Sequence, residues 1–169
     1  MTTKKLVLSL LVTILSLTTS MADTPSLKKL FVEMPDSLLP YLSHNNRLDF
    51  IDFMASDMKS EVTNDFGGKS VMTALADDSL TIVLNESSRV DLLILELAHP
   101  SDSAQHVIAM IRTYSIDGRL AETDLEFYSI GWQRLSDPPQ LTVPHRKRLK
   151  EYVKPSNIIN FYREKINKT

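Results

Sequence analysis

Val90-Asp91-Leu92-Leu93-Ile94-Leu95-Glu96-Leu97 and Val107-Ile108-Ala109-Met110-Ile111 are the two stretches that decide the fold. Both are apolar on both faces, Asp91 and Glu96 excepted. Both are bounded by turn formers, Glu86-Ser87-Ser88 ahead of the first and His99-Pro100-Ser101-Asp102-Ser103 between them. Short continuous apolar runs punctuated in this way predict strands at the centre of a sheet.

Working outward, the apolar period stays at two. Leu80, Ile82 and Leu84 alternate with Thr81, Val83 and Asn85. Leu125 and Phe127 alternate with Glu122, Asp124, Glu126 and Tyr128, the pattern of a strand with one wet face. Ile116-Asp117-Gly118-Arg119 predicts a hairpin, because Asp-Gly suits a type I′ turn. Strands are therefore expected near 70–76, 79–85, 89–97, 106–114 and 120–129.

Upstream the period becomes helical. Thr24-Pro25 is a helix start, followed by Leu27, Leu30, Phe31 and Met34 at helical spacing. Pro35 and Pro40 bracket a short bent segment. The clearest helix is expected to begin at an Asn45 or Asn46 cap. Leu48, Ile51, Ala55, Met58 and Val62 form its stripe, and Gly67-Gly68 ends it. Helices first and strands afterwards predict an α+β fold, with N-terminal helices packed on an antiparallel β-meander of about five strands. The 136–169 segment is less readable, with a possible short helix or strand over Ile158–Ile166.

The first residues form an address. Lys4 and Lys5 precede the apolar run Leu6–Leu17, and Ser20-Met21-Ala22 offers small side chains to a signal peptidase. We expect 1–22 to be a signal peptide cleaved after Ala22, and 23–169 to be a single domain that is periplasmic or extracellular. The run is too short for a transmembrane anchor. With no Cys, neither acylation of a lipobox cysteine nor a disulfide is available.

Removing Lys4 and Lys5 from the 19 Lys and Arg leaves 17 against 21 Asp and Glu, a net charge of −4. That balance argues against nucleic acid as a partner, since phosphate neutralisation needs a basic surface. None of the four glycines flanks a serine as a nucleophile elbow requires. Gly67-Gly68-Lys69-Ser70 has Thr63 where a phosphate loop needs its first glycine. No motif implies a cofactor.

Metal chemistry has a sparse candidate set. His99 and His106 lie across an expected hairpin, where Asp102 could join them as a third ligand. Asp49 with Asp52, and Asp57 with Glu61, fall at helical spacings that more often mark a solvated face. Glu122, Asp124 and Glu126 share one strand face with no sign of burial. For binding, the basic run His145-Arg146-Lys147-Arg148-Leu149-Lys150 could meet an anionic partner. Trp132, Phe161 and Tyr162 are the aromatics that could anchor an interface.

Residues 30–42 (LFVEMPDSLLPYL), with Asn46-Arg47-Leu48-Asp49-Phe50-Ile51-Asp52 and the later Phe127, Tyr128 and Trp132, make the chain similar to an uncharacterised family. Its members are small secreted proteins of anaerobic gut-type Gram-negative bacteria, carrying a domain of unknown function. The likeness spans most of the chain beyond the leader. It implies export and a compact α+β domain, and it brings no catalytic residue. More distantly, helices followed by a meander resemble periplasmic peptidase-propeptide-like modules, a likeness of architecture alone.

The expected function is a non-enzymatic binding or interaction module of the periplasm or cell envelope. Its partner would be an envelope or periplasmic protein, and the chain a monomer or weak homodimer. The alternative is an envelope hydrolase or metal-dependent enzyme working through His99, Asp102 and His106.

Overall fold

A computed structural model describes residues 25–101, 104–116 and 119–153. Six strands, β1 (Glu61–Thr63), β2 (Lys69–Leu75), β3 (Ser79–Asn85), β4 (Ser88–Ser101), β5 (Ala104–Ile116) and β6 (Arg119–Ser129), form one sheet. Each pairs antiparallel with its neighbours in chain order. Three α-helices, α1 (Leu27–Val32), α2 (His44–Ala55) and α3 (Val143–Tyr152), and a 3-10 helix, Asp36–Leu38, complete the described elements. The class is α+β. The sheet has six strands rather than five, and the helices flank it in sequence, with α3 following the last strand.

The double-sided apolar runs are explained by burial on both faces. Val90, Leu92 and Ile94 of β4 join Ile108 and Met110 of β5 on a first face. Leu93 and Leu95 join Val107, Ala109 and Ile111 on the second. Leu27, Phe31 and Met34 from around α1 and Phe50 from α2 cover the first face, which extends across Leu80, Ile82 and Leu84 of β3. Leu149 and Val153, with Leu135 and Leu141, cover the second over Leu125 and Phe127. Each fully buried Leu or Ile is worth about 1.5–3 kcal/mol against exposure, so these two layers supply most of the drive to fold.

The N-terminal half departs from the expected pattern. The first helix begins at Leu27 after an extended Ser26, two residues beyond Pro25, and its entry is tied down by Leu27 N–H donating to the Asp77 carbonyl at 3.1 Å. The cap of α2 is Ser43, with Asn46 as its reciprocal partner in a capping box. This helix stops at Ala55 instead of running to Val62. Asp57 takes a left-handed φ of 54°, and Met58 N–H turns back to the Phe53 carbonyl at 2.9 Å.

The physical reason is strand pairing. Val62 lies opposite Ser70, Ser60 accepts from Met72 N–H, and the segment becomes the edge strand β1. The supposed stripe is accordingly broken: Leu48 and Ala55 are exposed, and Met58 is 56% exposed. Asp57 and Glu61 do not share a helix face, since Glu61 is in β1. What α2 buries instead is Phe50 and Arg47.

Arg47 is 1% exposed and holds the turns ahead of it together. Its guanidinium donates to the Leu42 and Met34 carbonyls at 2.6 Å each, to Val32 O at 3.4 Å, and to Asp36 Oδ1 at 2.7 Å. One planar fork thus satisfies carbonyls that the two proline breaks leave outside any ladder.

Candidate functional site

The segment held by Arg47 crosses the ends of three strands and leaves a cleft of about 310 Å³ beneath it. Leu38, Leu39, Pro40 and Tyr41 form its roof. Leu84, Ser88 and Val90 from β3 and β4, with Arg112 and Tyr114 from β5, form its floor. Register explains why these side chains share a face. Ser88 lies opposite Tyr114 and Val90 opposite Arg112, two residues apart on each strand. The volume falls at the small end of the range, about 300–1,000 Å³, that ligand pockets occupy.

The rim is tied by long-range contacts. Asn85 Nδ2 donates to Tyr41 Oη at 3.1 Å, and Arg112 donates to the Leu38 carbonyl at 3.1 Å. Phe66 packs against Tyr41, with centroids 4.7 Å apart and a tilt of 54°, and is itself 69% exposed. An exposed aromatic beside a cleft is a place where apolar contact can be extended on binding. Ser88 also lines the cleft, but its Oγ is sealed from it and has no hydrogen-bond partner.

Arg112 is the polar centre of this end of the sheet. Its guanidinium engages Glu126, and Asp124 at 3.4 Å; Glu126 also accepts from Tyr128 at 2.8 Å and pairs with Arg134 at 2.8 Å. Burial opposes the charge on Arg112, but the Glu126 carboxylate outweighs it and holds the guanidinium above its ordinary pKa. Burial likewise pushes Glu126 up, and its hydrogen bonds from Arg112 and Tyr128 bring it below the usual carboxylate range. The Tyr128 phenol is raised, by burial first and then by the Glu126 carboxylate. The acidic residues of β6 are therefore not all on a wet face, since Glu126 is enclosed in this network.

On the opposite face, buried Asp91 accepts from Thr81 Oγ1 at 2.6 Å and Arg89 Nε at 2.9 Å. Burial outweighs both bonds and raises its pKa.

The residues that the sequence singled out are dispersed. Trp132 is 9% exposed, packs against Tyr128 at 5.8 Å, and donates Nε1–H to the Leu30 carbonyl at 3.0 Å. It fastens α1 to the end of β6. The basic run forms α3, where Arg148 makes a two-pronged ion pair with Asp78, its Nη2 lying 2.9 Å from Oδ1. Lys147 is exposed, Arg146 half-buried, and neither forms an ion pair among the described residues.

His99 is exposed and His106 half-buried opposite Glu96. Among the described residues no three His, Cys, Asp or Glu side chains are grouped to hold a metal ion. The 1–22 leader, Asp102, the Asp117-Gly118 turn, Phe161, Tyr162 and the 158–166 segment lie outside the described residues. No helix among the described residues is long and apolar enough to cross a membrane.

The sequence reading missed the cleft residues. Asn85 was legible only as a polar partner in the alternation of β3, Ser88 only as a turn former, Tyr41 only as the residue after a proline break. Their sole signal was that polar groups interrupt apolar segments, which any turn also produces.

Residues 19–167 match the family described as "Protein of unknown function (DUF3256)". The fold is similar to a solved domain of an uncharacterized protein from Porphyromonas gingivalis W83, with a TM-score of 0.53 at 20% identity. The alignment covers 78% of this chain and 63% of that one, so this chain spans less than two thirds of its length. No curated protein matches significantly.

Proposed function

The chain belongs to the DUF3256 family of proteins of unknown function, and we propose that it is an exported, non-enzymatic binding module of the periplasm or cell envelope that works through the cleft between Leu38–Tyr41 and the ends of β3–β5. The cleft is the observation that supports this reading. It combines apolar walls with an exposed aromatic neighbour, the makeup of a site that gains from being filled. The export half of the proposal rests on Lys4, Lys5, the Leu6–Leu17 run and Ser20-Met21-Ala22.

The test is affinity recovery of the tagged protein from intact cells after cross-linking, with mass spectrometry of the proteins and small molecules that accompany it. Wild type is compared with Ser88→Phe, which places a ring in the cleft. A species recovered with wild type and lost with the folded variant supports the cleft. Equal recovery with both refutes it. Amino-terminal sequencing of the recovered protein should begin at Asp23, and an intact Met1 terminus would refute export by cleavage.

A further inference from the structure

The charges at the mouth of the cleft bear on what fills it, an inference that rests on the binding reading above. Tyr114 forms the β5 wall of the cleft and is 40% exposed, so part of it is open to a ligand. Two carboxylates flank it. Glu122 stands directly opposite on β6, which puts both side chains on one face of the sheet, about 4.5–5.5 Å apart at Cβ. Glu86 lies in the turn after β3, between Asn85 and Ser87, which both line the cleft, and its carbonyl accepts from Ser115 Oγ at 3.5 Å. Both glutamates are exposed, and neither forms an ion pair among the described residues.

The cations nearby are already matched. Arg112 engages Glu126 and Asp124, Arg134 pairs with Glu126, and Arg47 pairs with Asp36 at the roof. Arg89 pairs with Asp91 on the other face of the sheet, and the basic run lies on α3, which covers that other face through Leu149. Among the described side chains, Glu86 and Glu122 therefore give the mouth a net negative charge. An anion, the phosphate of a lipid surface included, is repelled there, whereas an ammonium or guanidinium gains two carboxylates and the face of a tyrosine ring. At about 310 Å³ the cleft has room for one or two apolar side chains rather than for a lipid.

From this we infer that the cleft receives an extended peptide segment of a partner protein, with an apolar side chain seated between the Leu38–Tyr41 roof and the strand floor and a Lys or Arg two positions along set over Tyr114, between Glu86 and Glu122. The spacing fits. Alternate side chains of an extended chain share a face and stand about 6.6 Å apart. Val90 on the floor lies opposite Arg112, so Tyr114 is its diagonal neighbour at about 7–8 Å.

Blocked pentapeptides with leucine second and lysine fourth, serine elsewhere, are to be compared with peptides carrying glutamine or glutamate in place of the lysine. Amide shifts of the purified protein in heteronuclear NMR titrations at low ionic strength give affinity and location together. The lysine peptide should bind about three- to tenfold tighter than the glutamine peptide, with glutamate weakest. It should move the amides of 38–41, 85–88 and 112–114, and high salt should remove its advantage. Glu86→Gln combined with Glu122→Gln, both at exposed positions, should bring the lysine peptide down to the glutamine one. A glutamate peptide that binds the cleft as tightly as the lysine peptide would overturn the cationic partner while leaving the cleft as a binding site. Shifts that map elsewhere and are unchanged by Tyr114→Ser or a folded Ser88→Phe would sink the underlying reading as well. Failure of all three peptides to bind would overturn the peptide class, and the recovery experiment with Ser88→Phe would still decide whether the cleft binds anything.

Discussion

Replacing Arg47 by Met should be among the most damaging single changes in the N-terminal half. The guanidinium is 1% exposed and makes two 2.6 Å bonds to main-chain carbonyls, those of Met34 and Leu42, besides its ion pair with Asp36. Methionine fills similar space but donates nothing, so at least those two carbonyls lose a partner in a dry setting. Each unsatisfied group costs about 1–3 kcal/mol. Relief from burying a charge offsets part of that, leaving a net loss of about 3–4 kcal/mol. A typical domain has only about 5–15 kcal/mol in total.

Asp36, whose side chain is 66% exposed, is a different matter, and Asp36→Ala should cost no more than about 1 kcal/mol. Urea denaturation followed by fluorescence suits the measurement. The single tryptophan, Trp132, is buried against Tyr128 and bonded to Leu30 O in the same region. Two results would refute the reasoning: an Arg47→Met variant within about 1 kcal/mol of wild type, or an Asp36→Ala variant as unstable as Arg47→Met. The second would mean that the ion pair, not the carbonyls, carries the effect.

Asp78 is lowered chiefly by its hydrogen bonds from Arg148, so its contribution is present above the ordinary carboxylate pKa and is lost as pH falls through the lowered folded value. Asp78→Asn should therefore be less stable by about 1 kcal/mol at neutral pH, a figure discounted for partial exposure, and should converge with wild type in strong acid. Asp91 has the opposite sign. Burial raises it, so its contribution is largest below the unfolded pKa and fades as pH rises through the folded one. Wild type should gain stability relative to Asp91→Asn on going from neutral to mildly acidic pH, and a gap moving the other way would contradict the assignment. Within the basic run, alanine at Arg146 or Lys147 should change stability by no more than about 0.5 kcal/mol. Arg148→Ala should cost about 1 kcal/mol or more, measured in the same denaturant series, because it breaks the pair with Asp78.

The sequence by itself determined most of the sheet, all but its edge strand β1. Five of its strands are marked by local alternation or by short double-sided apolar runs, and antiparallel neighbours need only the turns between them. The α+β class follows from the same patterns. Residues 56–63 were ambiguous because Met58 and Val62 continue a helical period as well as they suit other structures. Pairing of Val62 with Ser70 resolves that choice, and no local pattern encodes it.

Trp132 inverts its sequence reading, and Arg47 was given no role there, for a related reason. An aromatic beyond a strand looks displayed until α1 docks on it, and a charged residue on a helix looks solvated until the proline-broken turns place their carbonyls around it. The cleft depends on tertiary structure entirely. The Tyr41–Asn85 bond joins residues 44 positions apart, and the Arg112–Leu38 bond residues 74 apart. A site assembled from such distant groups is created by the docking of the 36–41 segment over the strand ends, because burial and charge pairing are properties of the packed chain and not of any window along it.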